Sequence, residues 1–368
     1  MDYNIDSMFD AIVCYYTANM RILENEPLAP YTSLRVGGRA EKLIIAENYA
    51  EVLSVLQEQP EPLWILGYGC NVLVSDSGLS GTTLMCRGGE TTVEGTEIIV
   101  DAGVWWDDVV LAAIEHNLWG LELLSGIPSG TGGAVFGNIA AYGGQTSDTL
   151  SWIEVYNTTT GELSKRDATD ITFAYRSSSL QNEPQFVILR AAFSLKTSPI
   201  HELRYESALT IASEKGLDPS KLEQRREILL ETRKRAGSLY EPSDELPERT
   251  AGSFFKNPLV SLEQAKQLAA FDESGKTLER LIEQSVIHGG SAQRASAAHV
   301  LLAAGFSRGQ RWNNVELHHS HVLKVATLPG ATASEVFTVT KDIQTTVRKK
   351  LGIELEPEVR PIGTFVTP

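Results

Sequence analysis

Residues 126–144 are the most constraining stretch of this sequence, because seven of these positions are glycine and none is charged. Glycine allows positive φ and lets main-chain amides approach a ligand closely. Consecutive amides in such turns form concave groups of donors for phosphate oxygens. No aspartate or glutamate between Glu122 and Asp148 would repel a bound pyrophosphate. The segment therefore predicts a cradle for the phosphates of a nucleotide cofactor, with close packing of two elements as an equal alternative.

The cradle matches neither of two common phosphate-binding fingerprints. It lacks the dinucleotide spacing G-x-G-x-x-G, and the whole chain lacks the P-loop pattern G-x-x-x-x-G-K-[ST]. A second glycine turn, at residues 67–71, follows an apolar strand pattern and can also place amides against phosphate. Neither a Rossmann domain nor a P-loop enzyme is therefore expected.

Composition limits the number of domains, the compartment and the partners. At 368 residues the chain can form two or three domains with their own cores. A net charge of −15 argues against a nucleic-acid partner and requires an anionic substrate to meet a local basic pocket. The cysteines, Cys14, Cys70 and Cys86, show neither pairing nor metal-ligand spacing. We expect a cytoplasmic protein with no signal peptide, membrane helix, membrane partner or metal.

Apolar residues alternate between strand and helix periods along the chain, which predicts an α+β fold without a regular strand–helix–strand repeat. A charged helix is predicted over residues 222–235. A capping box at residues 332–335 predicts a long helix, which Gly352 ends. A final strand is predicted over residues 353–359, with Glu356 and Glu358 on the same side.

Three short strings carry side chains suited to chemistry. Arg176 lies among aromatic and hydroxyl residues, where a guanidinium can bind a carboxylate or phosphate through two hydrogen bonds, and an ion pair is an equal alternative. Ser253 follows a glycine and precedes two phenylalanines. Its hydroxyl can protonate a carbanion, although most serines in such places form local turns. Glu356 and Glu358 flank a proline and fit an ordinary surface pair.

These strings, taken in order, resemble the UDP-N-acetylenolpyruvoylglucosamine reductase family, flavoenzymes that make UDP-N-acetylmuramate for peptidoglycan. The resemblance extends from residue 32 to residue 363, nearly the whole chain. The matching strings are TSLRVGG at 32–38, LGYGCNVL at 66–73, GIP at 126–128, NI at 138–139, AYG at 141–143, YR-x-S at 175–178, GSFFKNP at 252–258 and LEPEVRPIG at 355–363.

The resemblance implies a vanillyl-alcohol-oxidase-type FAD-binding domain of two α+β subdomains, and a separate α+β substrate-binding domain. NADPH would reduce the FAD, and the enolpyruvyl group of UDP-N-acetylglucosamine enolpyruvate would then take the hydride at its methylene carbon. We expect a monomer whose partner is this nucleotide sugar. The expected domains are an FAD-binding domain at residues 1–196, with subdomains near 22–87 and 88–196, a substrate-binding domain at 197–350, and a C-terminal strand with the catalytic glutamate at 351–368.

The resemblance also assigns roles to particular residues of this chain. Ser253 matches the proton donor, and Arg176 and Glu358 match the pair that engages the substrate carboxylate. Tyr205 matches a tyrosine that closes over substrate in the longer class of the family. Further substrate contacts are expected at Asn257, His321 and Lys256, and flavin contacts at Gly67, Tyr68, Gly69, Cys70, Asn71, Gly126, Ile127, Pro128, Ser129, Gly132, Gly133, Asn138, Ala141, Tyr142 and Gly143.

Several positions depart from the family pattern. Cys70 stands where serine is usual, and Gly137 where glutamine is usual. Ala236 stands where a lysine commonly binds the substrate pyrophosphate, and Lys234 or Arg235 is a candidate replacement. Two rival hypotheses follow: an FAD enzyme of the same fold acting on another nucleotide sugar or a hydroxylated substrate, and a catalytically silent flavin or nucleotide-sugar binder.

Overall fold

The computed structural model describes residues 20–239, 249–271 and 294–366, and these residues divide into two compact units. Among the described residues, the first unit consists of 20–26, 40–68 and 80–235, and the second consists of 27–39, 69–79 and those from 236 onward. Each unit combines strands and helices. None of the helices in these ranges has both the length and the apolar character needed to cross a membrane.

The elements are numbered here in chain order. The strands are β1 (Arg21–Pro27), β2 (Arg39–Ala46), β3 (Leu63–Leu66), β4 (Val72–Val74), β5 (Leu79–Cys86), β6 (Thr91–Glu94), β7 (Glu97–Asp101), β8 (Ala140–Ala141), β9 (Gly144–Gln145), β10 (Leu150–Asn157), β11 (Glu162–Asp167), β12 (Phe173–Ala174), β13 (Ser177–Ser178), β14 (Phe186–Ser194), β15 (Arg249–Ser253), β16 (Arg311–Trp312), β17 (Val315–Leu317), β18 (Lys324–Thr327) and β19 (Arg360–Ile362). The α-helices are α1 (Tyr49–Gln57), α2 (Trp106–Glu115), α3 (Thr131–Gly137), α4 (Glu206–Lys215), α5 (Leu222–Arg235), α6 (Leu262–Leu268), α7 (Ala297–Ala303) and α8 (Ala333–Leu351).

The first unit is built on two sheets. One has the strand order β1-β2-β5-β3, and the other is antiparallel with the order β11-β10-β14-β7-β6. Helix α2 packs on the second sheet through buried Trp106 and Val110, and the Trp106 ring meets Phe193 edge-on at 5.6 Å. Because the Trp106 indole also donates to the Leu124 carbonyl at 3.2 Å, its polar atom is satisfied within the core.

The second unit contains an antiparallel sheet of order β15-β18-β17-β16 and a parallel pair formed by β4 and β19. The inner stripe of α8 is buried in the core of this unit, as its apolar spacing predicted. The predicted capping box is present, because Thr332 and Glu335 exchange hydrogen bonds of 2.9 and 3.1 Å. Asp76 also accepts from the first two amides of this helix, those of Ala333 and Ser334, at 2.8 Å each.

The strand predicted over residues 353–359 is not formed. Pro357 has no amide hydrogen and makes only an isolated bridge with Phe255. The Glu358 amide instead donates to the Phe254 carbonyl at 2.8 Å, and strand β19 begins two residues later, at Arg360. Glu358 therefore lies in a bend before the strand, and alternation along a strand does not fix the direction of its side chain.

The described units do not coincide with the predicted boundary between residues 196 and 197. The chain remains in the first unit through Arg235, because α4 and α5 pack against each other and against Leu123. Buried Ile211 and Leu229 are part of this small core. The assignment of FAD-binding and substrate-binding roles to particular ranges stays a prediction.

Candidate functional site

The predicted phosphate cradle lies in the first unit, and charged side chains hold its start. The Gly126 amide donates to Oδ1 of Asp107 at 2.7 Å, and the Gly126 carbonyl accepts from Nε of Arg233 at 3.1 Å. Arg226 donates two further bonds to Asp107, each 2.7 Å long. Burial alone raises the pKa of Asp107, but the bonds from Arg226 and Gly126 outweigh it and hold the pKa below its ordinary value. The carboxylate is therefore charged at neutral pH and fixes the entrance to the cradle.

The glycines of the cradle divide into those that pack and those that leave open space. A Cβ on Gly132 would lie 3.0 Å from the Cβ of Ala102, and a Cβ on Gly130 would lie 3.3 Å from the Tyr68 ring. At Gly143, where φ is +95°, an added Cβ would have no heavy atom of the described residues beyond its chain neighbours within 4 Å. Packing therefore explains the first two glycines, while the main chain at Gly143 is open to a ligand.

Other predicted flavin contacts follow the entrance of the cradle. A Cβ on Gly133 would approach only the Ser129 hydroxyl among described residues, at 3.1 Å. Asn138 is buried, and its side chain donates to the Ala174 carbonyl at 3.2 Å and accepts from the Ser147 amide at 3.0 Å. The main-chain amide of Asn138 caps the end of α3, and the flavin contact of this residue stays a prediction. The remaining predicted contacts of the cradle, all half-buried, are Ile127, Pro128 and Ala141.

The second glycine turn is divided between the units after Tyr68. In the first unit, the Tyr68 ring meets Trp105 edge-on at 4.7 Å. In the second unit, a Cβ on Gly69 would lie 2.1 Å from the Tyr31 carbonyl oxygen, so only glycine fits there. Asn71 is exposed, and its side chain donates to the Glu358 carbonyl at 3.1 Å. The two remaining residues of the turn, both half-buried, are Gly67 and Cys70.

Tyrosines and arginines cluster around Tyr142, near the C-terminal end of the glycine-rich segment. The Tyr142 ring meets the Tyr205 ring edge-on at 5.3 Å, and Arg233 hydrogen-bonds the Tyr142 hydroxyl. Burial raises the pKa of Tyr205, and the nearby charge of Arg176 opposes that rise. The guanidinium of Arg176 lies 5.9 Å from the centroid of the Tyr175 ring. The first unit thus brings two predicted substrate residues, Arg176 and Tyr205, within electrostatic reach of each other, and their roles stay predictions.

Sequence reasoning missed the arginines through which α5 contacts the rest of the first unit. Arg226 and Arg233 hold the entrance of the cradle, and Arg225 forms an ion pair with Glu122 at 3.1 Å in which both side chains are buried. Residues seven or eight apart share one face of a helix, so the spacing of these arginines was a usable signal. The signal did not reveal their partners, because Asp107 and Glu122 are more than 100 positions away.

In the second unit, Ser253 is exposed at the end of β15. Its ladder partner on β18 is Lys324, and the Phe254 amide donates to the Leu323 carbonyl at 2.8 Å. The next two side chains are the buried phenylalanines Phe254 and Phe255, whose rings meet edge-on at 5.4 Å. These rings anchor the strand end in the core, and Ser253 is exposed directly before them.

Glu358 joins the same part of the second unit through its main chain. Its amide donates to the Phe254 carbonyl at 2.8 Å, directly after Ser253 in the chain. Its carbonyl accepts from the Asn71 side chain at 3.1 Å, and the Arg360 amide donates to the Asn71 carbonyl at 3.1 Å. Hydrogen bonds of the Glu358 main chain in the second unit therefore link this residue to Asn71 and to the residue that follows Ser253.

Two of the predicted substrate contacts are already engaged with the protein. Lys256 forms an ion pair with Glu356 at 2.6 Å. The Asn257 side chain accepts from the Ala297 amide at 3.0 Å at the start of α7, while Arg294 donates to the Asn257 carbonyl at 2.8 Å. Both residues therefore have a structural role, and their contacts with substrate stay predictions.

His321 lies in a tight turn that leads into β18. Its Nδ1 accepts from the Leu323 amide at 3.2 Å, which leaves the ring proton on Nε2 in the neutral form. Burial lowers the pKa of His321 to about 4, and the charges of Lys324, Arg308 and His318 add to this effect. A neutral imidazole at physiological pH can therefore donate one hydrogen bond to a ligand.

No group of three or more histidine, cysteine, aspartate or glutamate side chains with the geometry to hold a metal ion occurs in the part of the chain that the structure describes. Cys70 and Cys86 are both free thiols, and burial raises the pKa of Cys86 to about 12. Cys14 lies outside the described residues. The expectation of a metal-free protein stays a prediction.

Known proteins resemble this chain along nearly its whole length. A model for an FAD binding domain matches residues 42–165, and a model for the UDP-N-acetylenolpyruvoylglucosamine reductase C-terminal domain matches residues 242–362. The enzyme called UDP-N-acetylenolpyruvoylglucosamine reductase in Mycobacterium marinum is 31% identical over 94% of this chain and 96% of its own length. The enzyme of the same name in Streptomyces coelicolor is 31% identical over 93% of this chain and 90% of its own length.

A solved structure gives independent support for the fold. The crystal structure of UDP-N-acetylenolpyruvylglucosamine reductase from Thermus caldophilus superposes with a TM-score of 0.61 and 24% identity, covering 94% of this chain and 99% of that chain. The fold and the matched flavin domain define an FAD-dependent oxidoreductase. The extent of the sequence identity then decides the family: the chain belongs to the UDP-N-acetylenolpyruvoylglucosamine reductases. The predicted fold class, family and FAD cofactor are confirmed.

Proposed function

We propose that this chain reduces UDP-N-acetylglucosamine enolpyruvate to UDP-N-acetylmuramate for peptidoglycan synthesis, with NADPH as the reductant of its FAD. The observation that carries the proposal is the hydrogen bond between the Glu358 amide and the Phe254 carbonyl. This bond links the main chain of Glu358, a predicted catalytic residue, to the residue that follows Ser253. The names of relatives about 30% identical over almost the full chain support the same reaction.

Ser253 is proposed to supply the proton of this reaction. Hydride addition to the methylene carbon of the enolpyruvyl group leaves the neighbouring carbon with enolate character, and that carbon then takes a proton. The exposed Ser253 hydroxyl at the end of β15 can give it up, and the resulting alkoxide needs a nearby cation or a second proton. Glu358 is proposed to polarise the enol. For Arg176, the proposed contact with the substrate carboxylate rests on the resemblance alone.

The first unit has features that fit the pyrophosphate of FAD. The open main chain at Gly143 and the absence of acidic side chains between residues 123 and 147 both favour bound phosphates. When bound, FAD would supply the hydride. The chain's own contribution is to hold the cofactor's phosphates at the cradle and to place the proton donor at the end of a strand that two buried rings anchor.

A flavin absorbance experiment in two steps tests the proposed reaction. Adding NADPH to the FAD-loaded chain without oxygen is expected to bleach the flavin absorbance, and adding UDP-N-acetylglucosamine enolpyruvate is expected to restore it. Bleaching without recovery would show that the chain is a flavin enzyme that NADPH reduces but that does not use this substrate. It would favour another nucleotide sugar as the substrate. A flavin that NADPH does not bleach would reject the proposed reductant.

Replacing Glu358 by glutamine is expected to lower kcat far more than it raises KM. Glutamine keeps the size and the main-chain bonds to Phe254 and Asn71 but removes the carboxylate charge that is proposed to act on the enol. An effect confined to the transition state appears in kcat and in kcat/KM together. Steady-state kinetics of Glu358→Gln beside Glu356→Gln, whose carboxylate pairs with Lys256, would measure this. A rise in KM alone would show that Glu358 contributes to substrate binding and not to the chemical step.

We further propose a cytoplasmic location, in keeping with a nucleotide-sugar substrate and a nicotinamide reductant. A monomer is the expected state of the chain. Size-exclusion chromatography with light scattering would measure its mass directly against the 40.2 kDa of one chain.

A further inference from the structure

Lys324 is an unusual residue of the second unit, because a lysine with only 2% of its surface exposed stands at the start of β18. Its ammonium donates to the Ala236 carbonyl at 2.8 Å and also to the Gly237 carbonyl. Burying an ammonium is unfavourable unless its hydrogen-bonding capacity is used. Two charge-assisted bonds to adjacent carbonyls therefore fix the main chain at Ala236 and Gly237.

The main chain of Lys324 also forms hydrogen bonds with the turn that contains His321. The Lys324 amide donates to the His321 carbonyl at 3.0 Å, and the Lys324 carbonyl accepts from the His318 amide at 2.8 Å. The Ser320 hydroxyl bonds with Nδ1 of His318 at 2.7 Å and lies 3.6 Å from the place where a Cβ on Gly237 would stand. The Ala236–Gly237 main chain and the 318–321 turn are thus neighbours, with the Lys324 ammonium beside both.

Ala236 is also the position at which the family resemblance expects a lysine for the substrate pyrophosphate. Of the two neighbouring cations considered as replacements, Arg235 is held on the surface by Glu214 at 2.6 Å and by Glu231 at 2.9 Å. Lys324 instead brings a buried ammonium to the main chain of residue 236 from another element of the second unit. Lys324 is therefore a better candidate than Arg235 to replace the lysine that the family resemblance expects at position 236.

We propose that Lys324 is a positioning residue for the diphosphate of the nucleotide-sugar substrate, acting through the Ala236–Gly237 main chain and the turn of His321. This inference rests on the proposed function, because the diphosphate is that of the proposed substrate. The lysine is also the ladder partner of Ser253, so it stands on the strand next to the proposed proton donor.

Replacing Lys324 by methionine tests this inference in the full, FAD-loaded chain. Methionine keeps an unbranched side chain and removes the ammonium. We expect KM for UDP-N-acetylglucosamine enolpyruvate to rise about tenfold, the lower range for losing a hydrogen bond to a charged group, with kcat within about twofold of the unaltered chain. Bleaching of the flavin by NADPH is expected to stay unchanged, because that step needs no diphosphate of the sugar substrate.

Lys350→Met is the matched control. Lys350 also donates its ammonium to a main-chain carbonyl of the second unit, that of Ala304 at 2.6 Å, but it lies near the end of α8. The control is expected to leave KM unchanged. Equal KM values for Lys324→Met and the unaltered chain, or a fall in kcat at constant KM, would overturn the positioning role.

A second measurement does not depend on turnover. In the unaltered chain, the NMR titration of His321, assigned by comparison with His321→Gln, is expected to have its midpoint near 4, because burial and the charges of Lys324, Arg308 and His318 disfavour the imidazolium. In Lys324→Met the midpoint is expected to move toward the ordinary 6.5. An equal His321 midpoint in Lys324→Met and in the unaltered chain would overturn the arrangement of Lys324 beside His321.

The two kinds of failure are distinguishable. If the proposed function is mistaken, the reduced flavin of the unaltered chain will not be reoxidised by UDP-N-acetylglucosamine enolpyruvate. If only the role of Lys324 is mistaken, the unaltered chain will turn over normally, and Lys324→Met will match Lys350→Met in KM.

Discussion

Replacing Ser253 by alanine is expected to lower turnover by about 10³–10⁴-fold, the upper part of the range for one general acid catalyst. FAD binding and flavin bleaching by NADPH are expected to remain, because neither step needs this proton. The loss should fall on the second half-reaction, the reoxidation of reduced flavin by substrate. Stopped-flow absorbance of the two half-reactions would measure each step separately.

The geometry at Ser253 makes this experiment easy to interpret. The hydroxyl is exposed at a strand end, so its removal leaves no buried cavity, and Phe254 and Phe255 continue to anchor β15. Ser261→Ala is a suitable control, since its hydroxyl accepts from the Gln264 amide at 3.1 Å at the start of α6 and has no proposed role in chemistry. Turnover of Ser253→Ala close to that of this control would remove Ser253 from its proposed role.

The second large effect is expected on stability, from replacing Glu122 by glutamine in the first unit. Glu122 and Arg225 form an ion pair of 3.1 Å with side chains 2% and 5% exposed, and the other carboxylate oxygen accepts from the Gly120 amide at 2.7 Å. Arg225 also lies over the Trp119 ring at 4.7 Å. Removing one partner leaves a buried charge uncompensated, which costs about 3–5 kcal/mol of unfolding free energy. Urea unfolding would show this as a lower midpoint with an unchanged slope.

Two controls separate burial from ion pairing as such. Arg204 and Glu202 form a pair of the same 3.1 Å length but with side chains 73% and 79% exposed, so Glu202→Gln is expected to cost less than about 1 kcal/mol. Replacing both buried partners, as Glu122→Leu with Arg225→Met, is expected to recover much of the loss. Similar losses from Glu122→Gln and Glu202→Gln would show that burial does not control the strength of these pairs.

Local sequence signals predicted several elements of the fold correctly. The helix over residues 222–235 and the capping box at residues 332–335 are present as predicted, and Gly352 ends α8 at φ +64°. These features depend on hydrogen bonds between residues three or four apart, which the local sequence encodes directly. The glycine-rich segment was less predictable. Seven of its residues form α3, although glycine disfavours helix, because the first two amides of the helix donate to the carbonyls of Val104 and Ala102.

The sequence by itself determined the family, the FAD cofactor and the identity of the candidate catalytic residues, because these depend on short motifs in a fixed order. Only the tertiary structure decided which glycines pack and which leave open main chain, that Glu358 lies in a bend, and that Lys324 binds the main chain at Ala236. These facts depend on contacts between residues far apart in the chain, such as the 88 positions between Lys324 and Ala236. Local periodicity carries no information about such contacts, because the path of the whole chain sets them.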